Sequence, residues 1–388
     1  MYKNLLIILF LISGIYCFGN IDGMIIKTTD SSYEDRWYKT LGENVPRISG
    51  AEKFFKGQKL FVGVAISNYQ LDENRVSNVT YDLEITGPNG KIILDKKNNA
   101  GINASGLNPS YVQISEVFST VILKSNDAFG TYRIKIMLND RINASTKTLE
   151  SSVNLVPLPD YKSIELSTNE NFWQWKNNYY KHKEPEKALP YFVFFTTSEL
   201  PKKRSELLPA ISFFRTIMRE NTYLFTEFKE AFEDGDDETK YLLALLLYES
   251  TSEESYKKYM EEDDFLDQLS QKTIPGSDDP IADAVQIDML WAEFSANGQQ
   301  KPLLKIVKVL DNARFAGSLQ KLQRSPQKKE LQEKAYKDAV YQGAKWSLEE
   351  RLKNEELALG YAQWILANEN LSSLQKQELA KLLKQALR

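Results

Sequence analysis

One histidine, His182, and one cysteine, Cys17, are all that the 388-residue chain offers of the two residue types most used in nucleophilic and metal chemistry. A Ser-His-Asp relay would have to use His182, yet this residue stands between Lys181 and Lys183 just before Pro185. That context reads as a solvated helix end, where positive charge complements the helix dipole. A zinc site would need several carboxylates to replace the missing soft ligands. The run Glu233-Asp234-Gly235-Asp236-Asp237-Glu238 is rich in oxygen ligands. It lacks the alternating acids, central glycine and late glutamate of a calcium-binding loop, and reads as a loop whose aspartates cap a helix starting near Glu238. The run Glu261-Glu262-Asp263-Asp264 could supply a general acid and base only if two of its carboxyls faced each other across a cleft. The sequence contains no glycine-rich phosphate loop, dinucleotide fingerprint or nucleophile elbow. The expectation is therefore of no catalytic residue, no metal and no cofactor.

The remaining candidates are aromatic. Phe172, Trp173, Trp175, Tyr179 and Tyr180 crowd one segment, and Trp173 and Trp175 point about 200° apart on a helix. Trp173, Trp175, Tyr179 and Tyr180 are expected to form a contact surface for a protein or peptide partner, or a stacking platform for a sugar.

Such residues need elements to hold them. The formal charge of -4 argues against a nucleic-acid surface. The clusters Lys202-Lys203-Arg204 and Lys328-Lys329 sit beside acids and form no long stripe. The 19 Phe and 20 Tyr supply ample packing material for more than one core.

Lys3 followed by the apolar run Leu5 to Ile15 reads as a signal peptide spanning 1–19, since a membrane span needs roughly 20 apolar residues. Cleavage is expected after Gly19, which leaves no cysteine and hence no disulfide. Lipidation of Cys17 is the alternative, set against the bulky Tyr16 before it. The chain is thus expected to be exported, with no membrane span after cleavage.

Residues 20–56 carry no sustained period and read as a lead-in. From Gln58 the period becomes two: Leu60, Val62, Val64 and Ile66, then Val79, Tyr81, Leu83 and Ile85, alternate with smaller or polar neighbours. Gly87-Pro88-Asn89-Gly90 makes a turn, and Lys91 to Leu94 returns. Tyr111 to Leu123, Tyr132 to Leu138 and Ser151 to Val156 complete the set. Tyr132, directly after Gly130-Thr131, has the placement of a tyrosine corner. Residues 57–157 are expected to form an immunoglobulin-like β-sandwich, ended by Pro157-Leu158-Pro159.

Past a linker at 158–170 the period turns helical, over 171–388. Ile287, Leu290, Trp291 and Phe294 make one stripe, closed by Asn297-Gly298. Leu303, Ile306, Val307 and Leu310 repeat it after Pro302. Further helices are expected at 171–182, 186–197, 204–219, 238–249, 327–352 and 355–367, and a last one opens with the capping-box pair Ser372 and Gln375. The fold class expected is multidomain, β then α, with an all-α helical array resembling an α-solenoid.

The order of several of these segments resembles a family of exported bacterial proteins of uncharacterised function. They are Gly57-Gln58-Lys59-Leu60, Tyr81-Asp82-Leu83-Glu84-Ile85, Gly87-Pro88-Asn89-Gly90-Lys91, Gly130-Thr131-Tyr132, Asp288-Met289-Leu290-Trp291-Ala292-Glu293-Phe294 with Gly298, and Ala344-Lys345-Trp346-Ser347-Leu348. The chain departs from that family at Ala296-Asn297-Gly298. The resemblance implies an Ig-like sandwich followed by an α-helical domain and carries no catalytic residues. Two scaffolds with little catalytic inventory point to a non-enzymatic interaction or scaffold protein of the cell envelope. The alternatives are a carboxylate-dependent hydrolase acting on envelope carbohydrate and a self-assembling structural component.

Overall fold

The computed structural model describes residues 20–40, 48–166, 169–198, 204–260, 275–276, 278–281, 283–324 and 329–388. The expected leader with Cys17, the acids Glu261 to Asp264, and Lys202, Lys203 and Lys328 lie outside the described residues. Strands dominate as far as Leu155, and the segments after it are helical. Two compact units result. One comprises the described residues within Met1–Lys27, Phe61–Val121 and Ala128–Leu155; the other comprises those within Thr28–Leu60, Ile122–Asp127 and Val156–Arg388. The stretch expected as a lead-in is therefore shared out, and most of it folds with the helices.

In the first unit, β1 (Asp22–Thr28), β3 (Lys59–Ser67) and β6 (Gln113–Ile114) are neighbours in one sheet, and β7 (Ser119–Ile122) also pairs with β3. In the other sheet β9 (Ser145–Leu155), β8 (Gly130–Asp140), β4 (Val79–Thr86) and β5 (Ile92–Ile102) run side by side, each pair antiparallel. Along β4 burial alternates residue by residue, with Val79, Tyr81, Leu83 and Ile85 inside. β8 does the same with Tyr132, Ile134, Ile136 and Leu138, and the pair register sets Leu83 opposite Ile136. This is the two-residue repeat of a strand with one wet face. The Tyr81 hydroxyl donates to the Val117 carbonyl at 2.7 Å, tying one sheet to the link between β6 and β7.

The segment Tyr111–Leu123, read as one strand, is interrupted. The Ser115 hydroxyl accepts from Val64 N at 3.2 Å and donates to the Val117 carbonyl at 3.0 Å. A side chain thus takes a place in the ladder that backbone would otherwise hold. Tyr132 is buried, and its hydroxyl donates to the Ala128 carbonyl at 2.8 Å. Tyr132→Phe keeps the ring and removes this bond, and is expected to cost about 1 kcal/mol, read as a lowered denaturant midpoint of the strand-rich unit.

The second unit holds α1 (Tyr33–Tyr38), the short strand β2 (Lys53–Phe54), α2 (Asn169–Asn178), α3 (Ala188–Thr196), α4 (Arg204–Glu220), α5 (Phe225–Asp234) and α6 (Asp237–Thr251). It continues with α7 (Val285–Asn297), α8 (Gln300–Val309), α9 (Ser318–Arg324), α10 (Lys329–Asn354), α11 (Glu356–Asn368) and α12 (Ser373–Ala386). Helices α1 and α9, of six and seven residues, are too short to show a period, and α5 is a further helix beyond those expected. Asp236 caps α6 by accepting from Thr239 N at 2.9 Å, which is what the acidic run there does.

Two apolar cores fill this unit. One is built on Phe172, Phe192, Phe213, Phe214 and Leu245, the other on Trp291, Phe294, Leu303, Ala344 and Tyr361. Helix α7 serves both, giving Met289 and Ala292 to the first and Ile287, Leu290 and Phe294 to the second. Gly298 ends α7 at φ 68°, and a Cβ there would stand 2.8 Å from Arg36 Nη2, so both the backbone and the space require glycine. At α12 the Ser372 hydroxyl accepts from Gln375 N at 3.2 Å while the Gln375 side chain accepts from Ser372 N at 2.8 Å. Ser372→Ala is expected to cost about 1 kcal/mol, measurable as a fall in the unfolding midpoint. No helix among the described residues is long and apolar enough to cross a membrane.

Candidate functional site

Asp30 lies in the turn between β1 and α1, within the helical unit. The turn is wound by short polar bonds: Asp30 N donates to Thr28 Oγ1 at 3.1 Å, and Ser32 N and Oγ donate to Asp30 Oδ1 at 3.0 and 2.7 Å. This is the local side-chain-to-backbone bonding that Asp and Ser favour. One helical turn beyond Ser32, Arg36 donates through Nε to Ser32 Oγ at 3.1 Å and through Nη2 to the Tyr180 carbonyl, and its Nη2 pairs with Asp30 Oδ2 at 3.0 Å.

Lys183 reaches the same carboxylate from the segment after α2. Its Nζ stands 3.0 Å from Asp30 Oδ1 and 2.8 Å from Glu220 Oε2, at the end of α4. Ser31 Oγ donates to the other Glu220 oxygen at 2.9 Å. The Asp30, Arg36 and Lys183 side chains are 4%, 5% and 8% exposed, so water does little to screen these charges. Burial alone would raise the Asp30 pKa, but Lys183, Arg36 and the bonds from Ser32 together pull it below its ordinary value of 3.8. Burial likewise works against the Lys183 cation, and Asp30 and Glu220 outweigh it and lift its pKa above 10.5. Both groups therefore stay charged across the ordinary pH range.

Asp30 and Lys183 of this cluster line a cavity of about 300 Å³. The rest of the lining includes Ser49, Gly50, Lys53, His182, Glu184 and Glu186. Glu186 is buried and is held by Lys53 Nζ at 2.8 Å. The Ser49 hydroxyl is committed to the Lys181 carbonyl at 2.8 Å. His182 is exposed, as its lysine-flanked position implied. Lys183, its sequence neighbour in the same reading, turns inward instead, because the buried Asp30 and the half-buried Glu220 await its amine.

A second cavity of about 310 Å³ is lined by Arg215, Arg219, Asp278, Asp279 and Glu293 among others. Arg215 Nη1 is paired with Glu249 Oε2 at 3.1 Å with both side chains buried, and Arg219 Nη2 donates to the Glu249 carbonyl at 2.5 Å. Its cations, too, are fixed by internal partners.

General acid catalysis needs a carboxyl that keeps its proton near working pH. Glu227 is pushed up to about 7 by burial, then by Glu230 and Asp160, and Asp288 is raised by burial. Neither lines the two cavities just described. Among the described residues no group of three or more His, Cys, Asp or Glu side chains is placed to hold a metal ion.

The aromatic segment that the sequence offered as a partner surface is mostly interior. Trp175 stacks on Tyr191 at 4.4 Å and meets Tyr179 and Phe213 edge-on at 5.2 and 5.5 Å. Trp175, Tyr179 and Tyr180 are 7%, 1% and 2% exposed, which leaves Trp175 and Tyr179 no surface for a partner to meet, while Tyr180 lines the cavity beside Asp30. Trp173 alone of the four is half-buried. The spacing could have shown this: Phe172, Trp175 and Tyr179 fall at i, i+3 and i+7, the same stripe that marks α7 as a core helix.

No family model and no curated protein matches this chain. Among solved structures, one similar chain is a family 123 glycoside hydrolase from Clostridium perfringens, 14% identical over 46% of this chain with a TM-score of 0.21. The match spans 35% of that hydrolase. Another is a family 76 glycoside hydrolase from a bovine Bacteroides thetaiotaomicron strain, 12% identical over 85% of this chain and 76% of its own, with a TM-score of 0.16. Likenesses this slight establish neither a shared fold nor a shared activity.

Proposed function

We propose that this chain is an exported, non-enzymatic interaction or scaffold protein of the cell envelope, whose helical unit takes a protein or peptide partner at the Asp30–Lys183–Glu186 cavity. The observation that carries this reading is the fixed charge of the cavity wall. Asp30 is shared by two buried cations and Glu186 is held by Lys53, so the wall presents alternating charge that is already ordered before a ligand arrives. Such preorganisation favours recognition of a polar chain with mixed charge. It disfavours proton transfer, which needs a carboxyl of raised proton affinity. The strand-rich unit is read as an immunoglobulin-like sandwich acting as spacer, supported by its two sheets and by the Tyr132–Ala128 bond. The helical unit is read as an α-solenoid-like array, and the chain as a divergent relative of the exported family it resembles.

The test is photo-crosslinking in the native envelope from an amino-acid probe placed at Ser49, on the cavity lining. A discrete crosslinked partner is expected, lost when Lys53→Glu reverses one charge of the wall. Crosslinking at Ser49 that is the same in wild type and Lys53→Glu would overturn the assignment of the cavity. Turnover of envelope carbohydrate by the purified chain, abolished by Asp30→Asn, would replace it with the hydrolase reading.

A further inference from the structure

The second cavity of the helical unit, of about 310 Å³, shares no lining residue with the cavity at Asp30. Three pieces of chain build it: the end of α4, the segment before α7 with Gly276, Asp278 and Asp279, and the end of α7 running on to Gln299. The described residues that line it are all charged, polar or glycine. Yet α4 and α7 give most of their other side chains to the two apolar cores. Arg215 and Asn297 form the floor, at 3% and 4% exposed, while Arg219, Asp278 and Asp279 stand exposed at the mouth. An apolar ligand would find no contact here.

The protein itself fixes most of the charges. Arg215 is paired with Glu249, and its Nη2 donates to the Pro275 carbonyl at 3.3 Å, which pins the segment before α7 to α4. A Cβ on Gly276 would lie 3.5 Å from Arg215 Nη2 and 3.8 Å from Glu293 Oε2, so these two groups flank the bare glycine. Gly276 N donates to Asp279 Oδ2 at 2.8 Å, and Glu220 gives one oxygen to Lys183 and the other to Ser31. What remains is hydrogen-bonding capacity of both kinds. Asn297 Oδ1 accepts from Gln299 N at 2.9 Å, which leaves Nδ2 facing the cavity with no acceptor among the described residues. Arg219 is engaged through Nη2 alone, to the Glu249 carbonyl. The Thr216 hydroxyl donates to the Ser212 carbonyl at 2.8 Å and keeps its lone pairs. Carboxylates with one bond on an oxygen likewise keep a lone pair there.

We propose that this cavity binds one ring of a saccharide through its hydroxyl groups, with Asn297 and Arg219 as donors and Glu220, Asp279 and Glu293 as acceptors. A hydroxyl donates and accepts at once, so neighbouring ring hydroxyls suit a lining where spare donors and acceptors are mixed. A simple anion would meet the carboxylates of Glu220, Asp278, Asp279 and Glu293, and a simple cation would meet Arg215 and Arg219. A neutral polyol meets neither repulsion. The volume lies at the lower end of small-molecule sites, which suits a single ring and not a chain of them. The site is independent of the partner assigned to the cavity at Asp30.

The experiment titrates the full chain with the methyl glycosides of glucose, galactose, mannose and N-acetylglucosamine, and separately with acetate and with serine as a zwitterion. Binding is read by calorimetry and by ligand-observed NMR. At least one glycoside is expected to bind saturably, and neither acetate nor serine to displace it. Asn297→Asp keeps the acceptor for Gln299 N and turns the free donor into an acceptor, so it is expected to lose about ten-fold in affinity. Arg219→Gln, at an exposed position that α4 tolerates, is expected to lose a similar factor. Gly276→Leu places a side chain in the cavity and is expected to abolish binding, with folding checked by circular dichroism. No saturable binding of any of the four glycosides would overturn the site. So would saturable binding of serine or acetate in their place, or wild-type affinity in both Asn297→Asp and Arg219→Gln.

Discussion

Replacing Asp30 with alanine is expected to destabilise the helical unit by about 3–5 kcal/mol, the usual cost of breaking a buried ion pair by removing one partner. Asp30 is the carboxylate that Arg36 and Lys183 share at 3.0 Å each, and neither cation can turn to water while the unit stays folded. Asp30→Asn keeps an acceptor for Ser32 and loses only the charge, so it separates the ionic part of the effect from the geometry of the turn. The pH dependence has a definite sign. The folded-state pKa of Asp30 lies below 3.8, so its contribution is fully present above the unfolded value and is lost as the pH falls through the folded one. Lys183, whose pKa is raised above 10.5, contributes fully below that value and loses its contribution as the pH rises beyond it. Denaturant midpoints of wild type and Asp30→Ala should therefore differ by a constant amount through neutral pH, converge under strong acid as Asp30 is protonated, and narrow in strong alkali as Lys183 loses its charge. A difference that closes near pH 6 would contradict the assignment of ionised partners.

Trp175→Ala is expected to cost a similar amount, about 3–5 kcal/mol, as large-to-small changes of buried aromatic residues do. The indole is stacked on Tyr191 at 4.4 Å and bounded by Tyr179 and Phe213, and neighbours held by other helices cannot close the gap. Trp173→Ala, at a half-buried ring over which the Lys176 amine sits, should cost clearly less. The pair thus distinguishes an interior aromatic cluster from a surface one: two small and similar effects, within about 0.5 kcal/mol, would be the signature of exposed residues. Thermal unfolding of the two variants is sufficient to read the difference.

What could be read from residue order depended on whether the signal was local. The alternation of Val79, Tyr81, Leu83 and Ile85, the stripe of Ile287, Leu290, Trp291 and Phe294, the left-handed Gly298 and the Ser372–Gln375 cap all lie within a few residues of their partners, and each is present. The charged cluster at Asp30 is not of this kind. Asp30, Lys183 and Glu220 come from a turn, a post-helical segment and a helix end far apart in the chain, and nothing in their own neighbourhoods requires them to meet. The stretch holding Asp30 had no period because its elements are short, a seven-residue strand and a six-residue helix. Lys183 reads as one more solvated residue, since a single lysine next to an exposed histidine carries no mark of burial. The aromatic segment misled for another reason. The i, i+2 relation of Trp173 and Trp175 drew attention to two faces of the helix, while the i, i+3, i+7 relation of Phe172, Trp175 and Tyr179 already pointed to a core.

The protonation state of Asp30 decides between a wall of fixed charge and a catalytic carboxyl, and carbon-detected NMR of the labelled side chain reads it. A titration midpoint below 3.8, shifting upward in Lys183→Met, is the expected result. A midpoint at or above 6 would mean that Asp30 carries a proton at neutral pH, and recognition by preset charge would give way to acid catalysis.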